Sequence, residues 1–239
     1  MTDISKTGGP PDDLVEWRKA QRVALIDQRM ATPKETRLAW RLAMDRFIER
    51  GFPELARQVN TMPAVVAFCW PYHNEYDARH IAAKLRRAGA VTALPVVVAP
   101  GEPLVFRPWR PGMELAVGPL RIPYPAKGPE VKPTVVLLPM AGFDNRGYRL
   151  GYGGGYFDRT LVAMHPRPLM IGVTHEFSRL PTIYPQLHDV PLDYIVTEAG
   201  IYRRDGDLRG TRLEFLGEPA EPAVPGFKAA AGSALPDGR

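Results

Sequence analysis

Between two arginines, Arg149 and Arg159, the chain reads RLGYGGGYFDR, with four glycines and two tyrosines in eleven residues. This run constrains the fold most, because each glycine weakens an ordinary helix or strand by roughly 0.5–1 kcal/mol relative to alanine. It follows TVVLLP (Thr134 to Pro139), which reads as a buried strand, and MAGFDNRGY, which reads as a short loop. A helix over about Gly155 to Met164 comes next. A strand-to-helix junction of this kind lies at the carboxyl edge of an open α/β sheet, where ligands bind. Glycines let backbone N–H groups approach a ligand with no Cβ in the way, and the helix N-terminus adds about half a positive charge. Together they suit an anion, most naturally phosphate. A tight turn with glycines for packing is the alternative. Arg149 and Arg159, able to pair with phosphate oxygens, and Asp158, an oxygen ligand suited to Mg²⁺, weigh against it.

The segment matches neither G-x-x-x-x-G-K-[ST] nor the dinucleotide spacing G-x-G-x-x-G, since residue 156 is tyrosine. Short β-branched runs alternate with helical patterns on either side of it. AVVAFC (64–69), VTALPVVV, LMIGV and DYIVTE read as strands, LVFRPW (Leu104 to Trp109) as an outlying one, and DARHIAAKLRRAG as a helix ending at Gly89. That alternation predicts an α/β fold with a mainly parallel sheet and helices on both faces. Ahead of it, a helix starts at Asp13 with Leu14, Trp17, Ala24 and Leu25 near a 3.6-residue period. TPKE (Thr32 to Glu35) reads as a capping box opening a helix from Pro33 to about Arg50, with Gly51 as its stop and PELARQVN as a short third helix. Residues 1–12 read as a loose tail, 13–216 as one domain, and the Pro/Ala/Gly-rich 217–239 as a disordered tail.

The formal net charge of +5 favours anionic partners, but there is no Lys/Arg block and no nucleic-acid motif. The single cysteine, Cys69, excludes an intrachain disulfide and lies in the apolar run AVVAFCW, as a small core residue would. No stretch approaches a membrane span, and the N-terminus lacks an apolar leader segment. A cytoplasmic monomer is expected. His188 beside Asp189 is a weak metal signal, and a structural histidine is the commoner case.

The segment, written R-L-G-x-G-x-G-Y-[YF]-D-R, resembles the signature of the 5-formyltetrahydrofolate cyclo-ligase (methenyltetrahydrofolate synthetase) family. LLPMAGFDNRGY resembles the strand and loop before that signature, and FRPWRPGMELAVGPLRIPYP the family's central run. LHDVPLDYIVTE resembles its C-terminal block and WRKAQR its basic first helix, so about Glu16 to Arg203 is covered. The resemblance implies a NagB/RpiA/CoA-transferase-like fold and closure of 5-formyltetrahydrofolate to 5,10-methenyltetrahydrofolate, with ATP as co-substrate and Mg²⁺. The formyl oxygen would take the γ-phosphoryl group, N10 would attack the resulting iminium phosphate, and phosphate would leave.

The same resemblance implies site residues. Arg149, Gly151, Gly153, Gly154, Gly155 and Tyr156 fall on the nucleotide loop, with Arg149 and Tyr156 as catalytic groups. Arg18 and Arg22, four apart on one helix face, fall on the family's K-x-x-L-R pattern, with arginine and glutamine in place of its lysine and leucine; a solvated basic face is the alternative. Asp158 and Asp189 match the Mg²⁺ positions. Trp70, Glu75, Tyr152 and Tyr156 fall on the folate site, where a carboxylate at Glu75 suits the pterin's adjacent N–H donors. Glu75 as a helix N-terminal acid before the 77–89 helix is the other reading. Phe157 stands where the family commonly has a second tyrosine. Rival functions are a paralogue acting on another substrate and a non-catalytic folate or nucleotide binder.

Overall fold

The computed structural model describes residues 9–58, 63–205 and 212–216. Residues 1–8, 59–62, 206–211 and 217–239 lie outside them, and with them most of the expected N-terminal tail, the end of PELARQVN and the expected C-terminal tail. The first helix, α1 (Leu14–Ala31), opens where the Asp13 carboxylate accepts a hydrogen bond from the Glu16 N–H at 2.9 Å. Thr32 closes α1: its hydroxyl turns back to the Gln28 carbonyl at 2.9 Å, so the expected capping box does not form. The next helix, α2 (Lys34–Gln58), runs through both Gly51 and Pro53. The expected stop at Gly51 and the separate third helix are therefore corrected to one helix of 25 residues. Met44, Phe47, Ile48 and Phe52 are all buried at helical spacing, and their packing outweighs the local cost of glycine and proline.

Eight strands form the main sheet, in the order β13-β12-β11-β9-β6-β1-β2-β3. These are β1 (Val65–Phe68), β2 (Val91–Val96), β3 (Val105–Pro108), β6 (Val135–Pro139), β9 (Leu169–Val173), β11 (Tyr194–Thr197), β12 (Gly200–Asp205) and β13 (Arg212–Phe215). The five central strands from β11 to β2 are mutually parallel, as expected from the alternating pattern. β3 caps one edge antiparallel, and the β12–β13 hairpin, which the sequence did not announce, caps the other. Side chains alternate between two cores. Val66, Phe68, Val135 and Leu137 face α2 and α3 (Arg79–Arg87), while Ala67, Val136 and Leu138 face Leu161 on α4 (Tyr156–Ala163).

A two-stranded ribbon, β4 (Leu115–Val117) with β5 (Pro123–Pro125), comes from the Pro/Gly-rich middle. The stretch read as a loop before the glycine segment instead contributes β7 (Gly142–Asp144), which pairs with β10 (Arg179–Leu180) on one side and on the other with β8 (Arg149–Leu150), the first two residues of the glycine segment, in a small separate sheet. Its apolar side, Tyr148, Leu150 and Ile183, packs on Leu25 of α1. That contact lays α1, with its arginines, across the start of the glycine segment.

Candidate active site

β8 ends at Leu150, and residues 151–155 turn directly into α4. Gly153 (φ +92°) and Gly155 (φ +64°) occupy the left-handed region, so a side chain at either would be strained. A Cβ at Gly155 would also stand 2.7 Å from the Arg159 guanidinium. At Gly151, by contrast, a Cβ would meet nothing within 4 Å. Arg159 donates to the Gly154 carbonyl at 2.8 Å and lies over the Tyr156 ring, so it braces the loop instead of reaching outward as expected. The first turn of α4 supplies N–H groups without intrahelical partners at the same place.

The loop forms one wall of a cleft of about 350 Å³ at the carboxyl ends of β1, β2 and β6. Three arginines enter it, each held differently. Arg149 is buried and donates to the Val190 carbonyl at 2.7 Å and to Asp158 Oδ1 at 2.5 Å. Burial pushes its pKa down, with the Asp158 charge opposing. Arg18 donates to Asp189 Oδ2 at 2.7 Å and to the carbonyls of Ile183 and Tyr184. Arg22 has no carboxylate partner among the described residues; its Nε donates to the Gly151 carbonyl at 2.7 Å, and its guanidinium lies beside Gly153. Burial, then repulsion from Arg18, lowers its pKa, with Asp189 opposing. The partnerships of Arg18 and Arg22 remove the solvated-face alternative for this pair.

Asp158 and Asp189 line the same cleft, and each is gripped through one oxygen. Asp158 Oδ1 also accepts from the Val190 N–H at 3.2 Å, and Asp189 Oδ2 from the Gln186 N–H at 2.7 Å. Asp158 Oδ2 and Asp189 Oδ1 carry no hydrogen bond among the described residues. No group of three or more His, Cys, Asp or Glu among those residues could hold a metal by itself. Two carboxylate oxygens without a complete protein cage fit Mg²⁺ arriving with phosphates and water. His188 is exposed and no structural histidine, with Nε2 3.9 Å from Asp189 Oδ1.

Glu75, also in the cleft wall, accepts from the hydroxyl of Tyr152, a residue of the glycine segment, through one oxygen and from the Tyr72 N–H at 2.9 Å through the other. Burial raises the Glu75 pKa, with Tyr152 and Arg29 opposing, and burial beside Glu75 raises that of the Tyr152 hydroxyl. Helix α3 begins only at Arg79, four residues beyond Glu75, which instead forms part of the cleft wall. Arg29, which sequence reasoning missed, is buried and donates to the Tyr152 hydroxyl (2.6 Å), the His73 carbonyl (2.8 Å) and the Met140 carbonyl (3.2 Å).

Trp70 lines the cleft, edge-on to Trp109 at 5.6 Å, and Trp109 is a buried packing residue. Cys69 is corrected from core to cleft wall, half-buried at the end of β1. Tyr156 and Phe157 both line the cleft, and Phe157 also packs against the core around Leu161. Apart from Arg159, the residues singled out from the glycine segment, the first helix, the 70–75 loop and Asp189 thus line one cavity.

A profile of the 5-formyltetrahydrofolate cyclo-ligase family matches residues 14–198. The chain belongs to that family. The 5-formyltetrahydrofolate cyclo-ligase of Escherichia coli K12 is 30% identical over 166 residues, covering 64% of this chain and 91% of that protein. The cyclo-ligase of Mycolicibacterium smegmatis is 34% identical over 121 residues, covering 47% and 62%. Two solved structures share the fold. The 5,10-methenyltetrahydrofolate synthetase of Aquifex aeolicus aligns with a TM-score of 0.59 at 24% identity, over 80% of this chain and 94% of that one. The synthetase of Mycoplasma pneumoniae aligns with a TM-score of 0.58 at 20% identity, over 76% and 98%.

As a member of the cyclo-ligase family the chain is a ligase. The matched span runs from the start of α1 to just past β11, so every cleft residue from Arg18 to Asp189 falls within it. The β12–β13 hairpin lies beyond. No helix among the described residues is long and apolar enough to cross a membrane.

Proposed function

We propose that the chain converts 5-formyltetrahydrofolate to 5,10-methenyltetrahydrofolate with consumption of ATP and release of ADP and phosphate. The observation that carries this reading is a single cleft lined by two chemically different sets of groups. One set offers glycine backbone, an α4 N-terminus and Arg22, which has no carboxylate partner among the described residues, to an anion; the other offers the buried Glu75 carboxyl and the Tyr152 hydroxyl to a hydrogen-bonding heterocycle. Family membership supplies the reaction.

In this reading the triphosphate lies along Gly151 and Gly153 to Gly155, with Arg18 and Arg22 neutralising its charge. Mg²⁺ bound with the nucleotide would be held by Asp158 and Asp189 through the oxygens that the arginines leave free, and would offset phosphate charge. Arg149 holds Asp158 in place and presents positive charge to the transferring phosphoryl group, while Tyr156 lies where loop and folate meet. Glu75 accepts from the pterin's amino and amide N–H groups, for which the Tyr152 hydroxyl must release it, and Trp70 walls the folate. The formyl oxygen attacks the γ-phosphorus and the bond to the ADP oxygen breaks. N10 then attacks the activated carbon, losing its proton, and phosphate departs with the former formyl oxygen. Positioning and charge neutralisation carry such a transfer.

Mixing the protein with Mg-ATP and 5-formyltetrahydrofolate and following the near-ultraviolet absorbance of the methenyl product tests this. Growth of that band only with both ATP and Mg²⁺ is expected. Product without ATP, or none with all three present, would refute it.

A further inference from the structure

Tyr152 joins the two sets of groups that line the cleft. Its backbone belongs to the glycine segment, where Arg22 Nε donates to the Gly151 carbonyl at 2.7 Å and the Arg22 guanidinium lies beside Gly153. Its side chain reaches the 70–75 loop. There the ring stands edge-on to Tyr72 at 6.2 Å, and the hydroxyl donates to Glu75 Oε1, the oxygen that the Tyr72 N–H leaves open. One residue thus ties the loop proposed to cradle phosphate to the carboxylate proposed to hold the pterin.

We propose that the Tyr152–Glu75 hydrogen bond is a latch that either substrate opens, so that ATP and folate bind with positive cooperativity. This inference rests on the cyclo-ligase reading and says how its two ligands communicate. Folate opens the latch directly, because a pterin N–H and the phenol compete for the same carboxylate oxygen. ATP opens it through the backbone. A phosphate draws Arg22 away from the Gly151 carbonyl, and the peptide units on either side of Tyr152 shift. Both glycines permit that shift: a Cβ at Gly151 would meet nothing within 4 Å, and Gly153 (φ +92°) has no side chain to restrict its new conformation. The released hydroxyl keeps a partner, since Arg29 donates to its oxygen at 2.6 Å. A charge-assisted bond of this kind leaves about one molecule in ten open when nothing is bound. Whichever ligand arrives first bears the cost of opening, and the second meets a cleft already open.

Calorimetric titration tests this. It measures the dissociation constant of 5-formyltetrahydrofolate with and without a saturating non-hydrolysable Mg-ATP analogue, and that of the analogue with and without the folate. In the wild-type protein each ligand is expected to tighten the other about tenfold, by the same factor in both directions. In Tyr152→Phe, which loses only the hydroxyl, each ligand alone is expected to bind about tenfold more tightly than to the wild type, and the mutual effect falls to about one. Tyr152→Met also lacks the hydroxyl and is expected to give the same pattern, which separates the latch from ring packing on Tyr72. Independent binding in the wild-type protein would overturn the proposal. So would an undiminished mutual effect, or weaker binding of each ligand alone, in both folded variants. If 5-formyltetrahydrofolate does not bind at all, the cyclo-ligase reading fails separately. The latch is then judged on the ATP analogue alone: about tenfold tighter binding in Tyr152→Phe supports it, and equal, weaker or undetectable binding overturns it.

Discussion

Arg149 and Asp158 are joined by one hydrogen bond, Nη2 to Oδ1 at 2.5 Å, with the arginine side chain only 4% exposed and the aspartate 23%. The two flank the glycine loop, and each fixes the other where the phosphates are proposed to lie.

Replacing Asp158 by Asn keeps an oxygen that can accept from Arg149 but leaves the buried guanidinium without a neutralising charge. Asp158→Asn is therefore expected to cost stability on the order of 3 kcal/mol. Arg149→Ala is expected to cost less, because the aspartate it strands is the more exposed partner. Both are expected to lower kcat about a hundredfold or more in protein that still folds. Thermal melts and steady-state kinetics check the order. Wild-type rates in either folded variant would contradict the site.

The two kinds of loop glycine separate ligand contact from backbone strain. Gly155→Ala forces a side chain into the left-handed region against Arg159 and is expected to destabilise by about 1–3 kcal/mol. Gly151→Ala meets open space and is expected to melt like the wild type. Its methyl group should nonetheless weaken ATP binding about tenfold if phosphate rests on that backbone. Calorimetric titration with a non-hydrolysable ATP analogue reads the difference.

Glu75 has a pH signature. Burial raises its pKa above the ordinary 4.5, so between that value and the raised one the folded state binds more protons than the unfolded chain. Stability from this group is then lost as pH rises through that window, and the loss persists above it. Glu75→Gln keeps an acceptor for Tyr152 without the charge. Its melting temperature is expected to gain on the wild type from pH 4 towards pH 7, while folate binding weakens. A constant difference across that range would contradict a raised pKa.

Arg29 is expected to act through Tyr152. Arg29→Lys keeps the charge but not the three-way grip on Tyr152, His73 and Met140. It should raise the KM for 5-formyltetrahydrofolate severalfold with the KM for ATP unchanged. Equal effects on both would mean that α1 as a whole has shifted.

The parallel strands were legible because Val, Leu and Ile runs of four to six residues carry their own signal, as VVLLP and LMIGV do. The strands of the small sheet span two or three residues, too short for any periodicity to register. Gly51 misled because a local stop signal yields when Phe52 is buried in the core beyond it. In the cleft, the glycine segment announced itself through composition and family likeness. Arg29 did not: its partners Met140 and Tyr152 are 111 and 123 residues away, and nothing local marks a contact made only by the fold. The pairing of Arg149 with Asp158, nine residues apart, was equally hidden inside a motif that gave both residues other roles.

The most direct test of a shared nucleotide–folate cleft is to quantify ADP and methenyl product in the same reaction. Equal amounts, with no ADP formed when the folate is omitted, are expected. ADP released without folate, or in large excess over the methenyl product, would contradict coupling within one cleft.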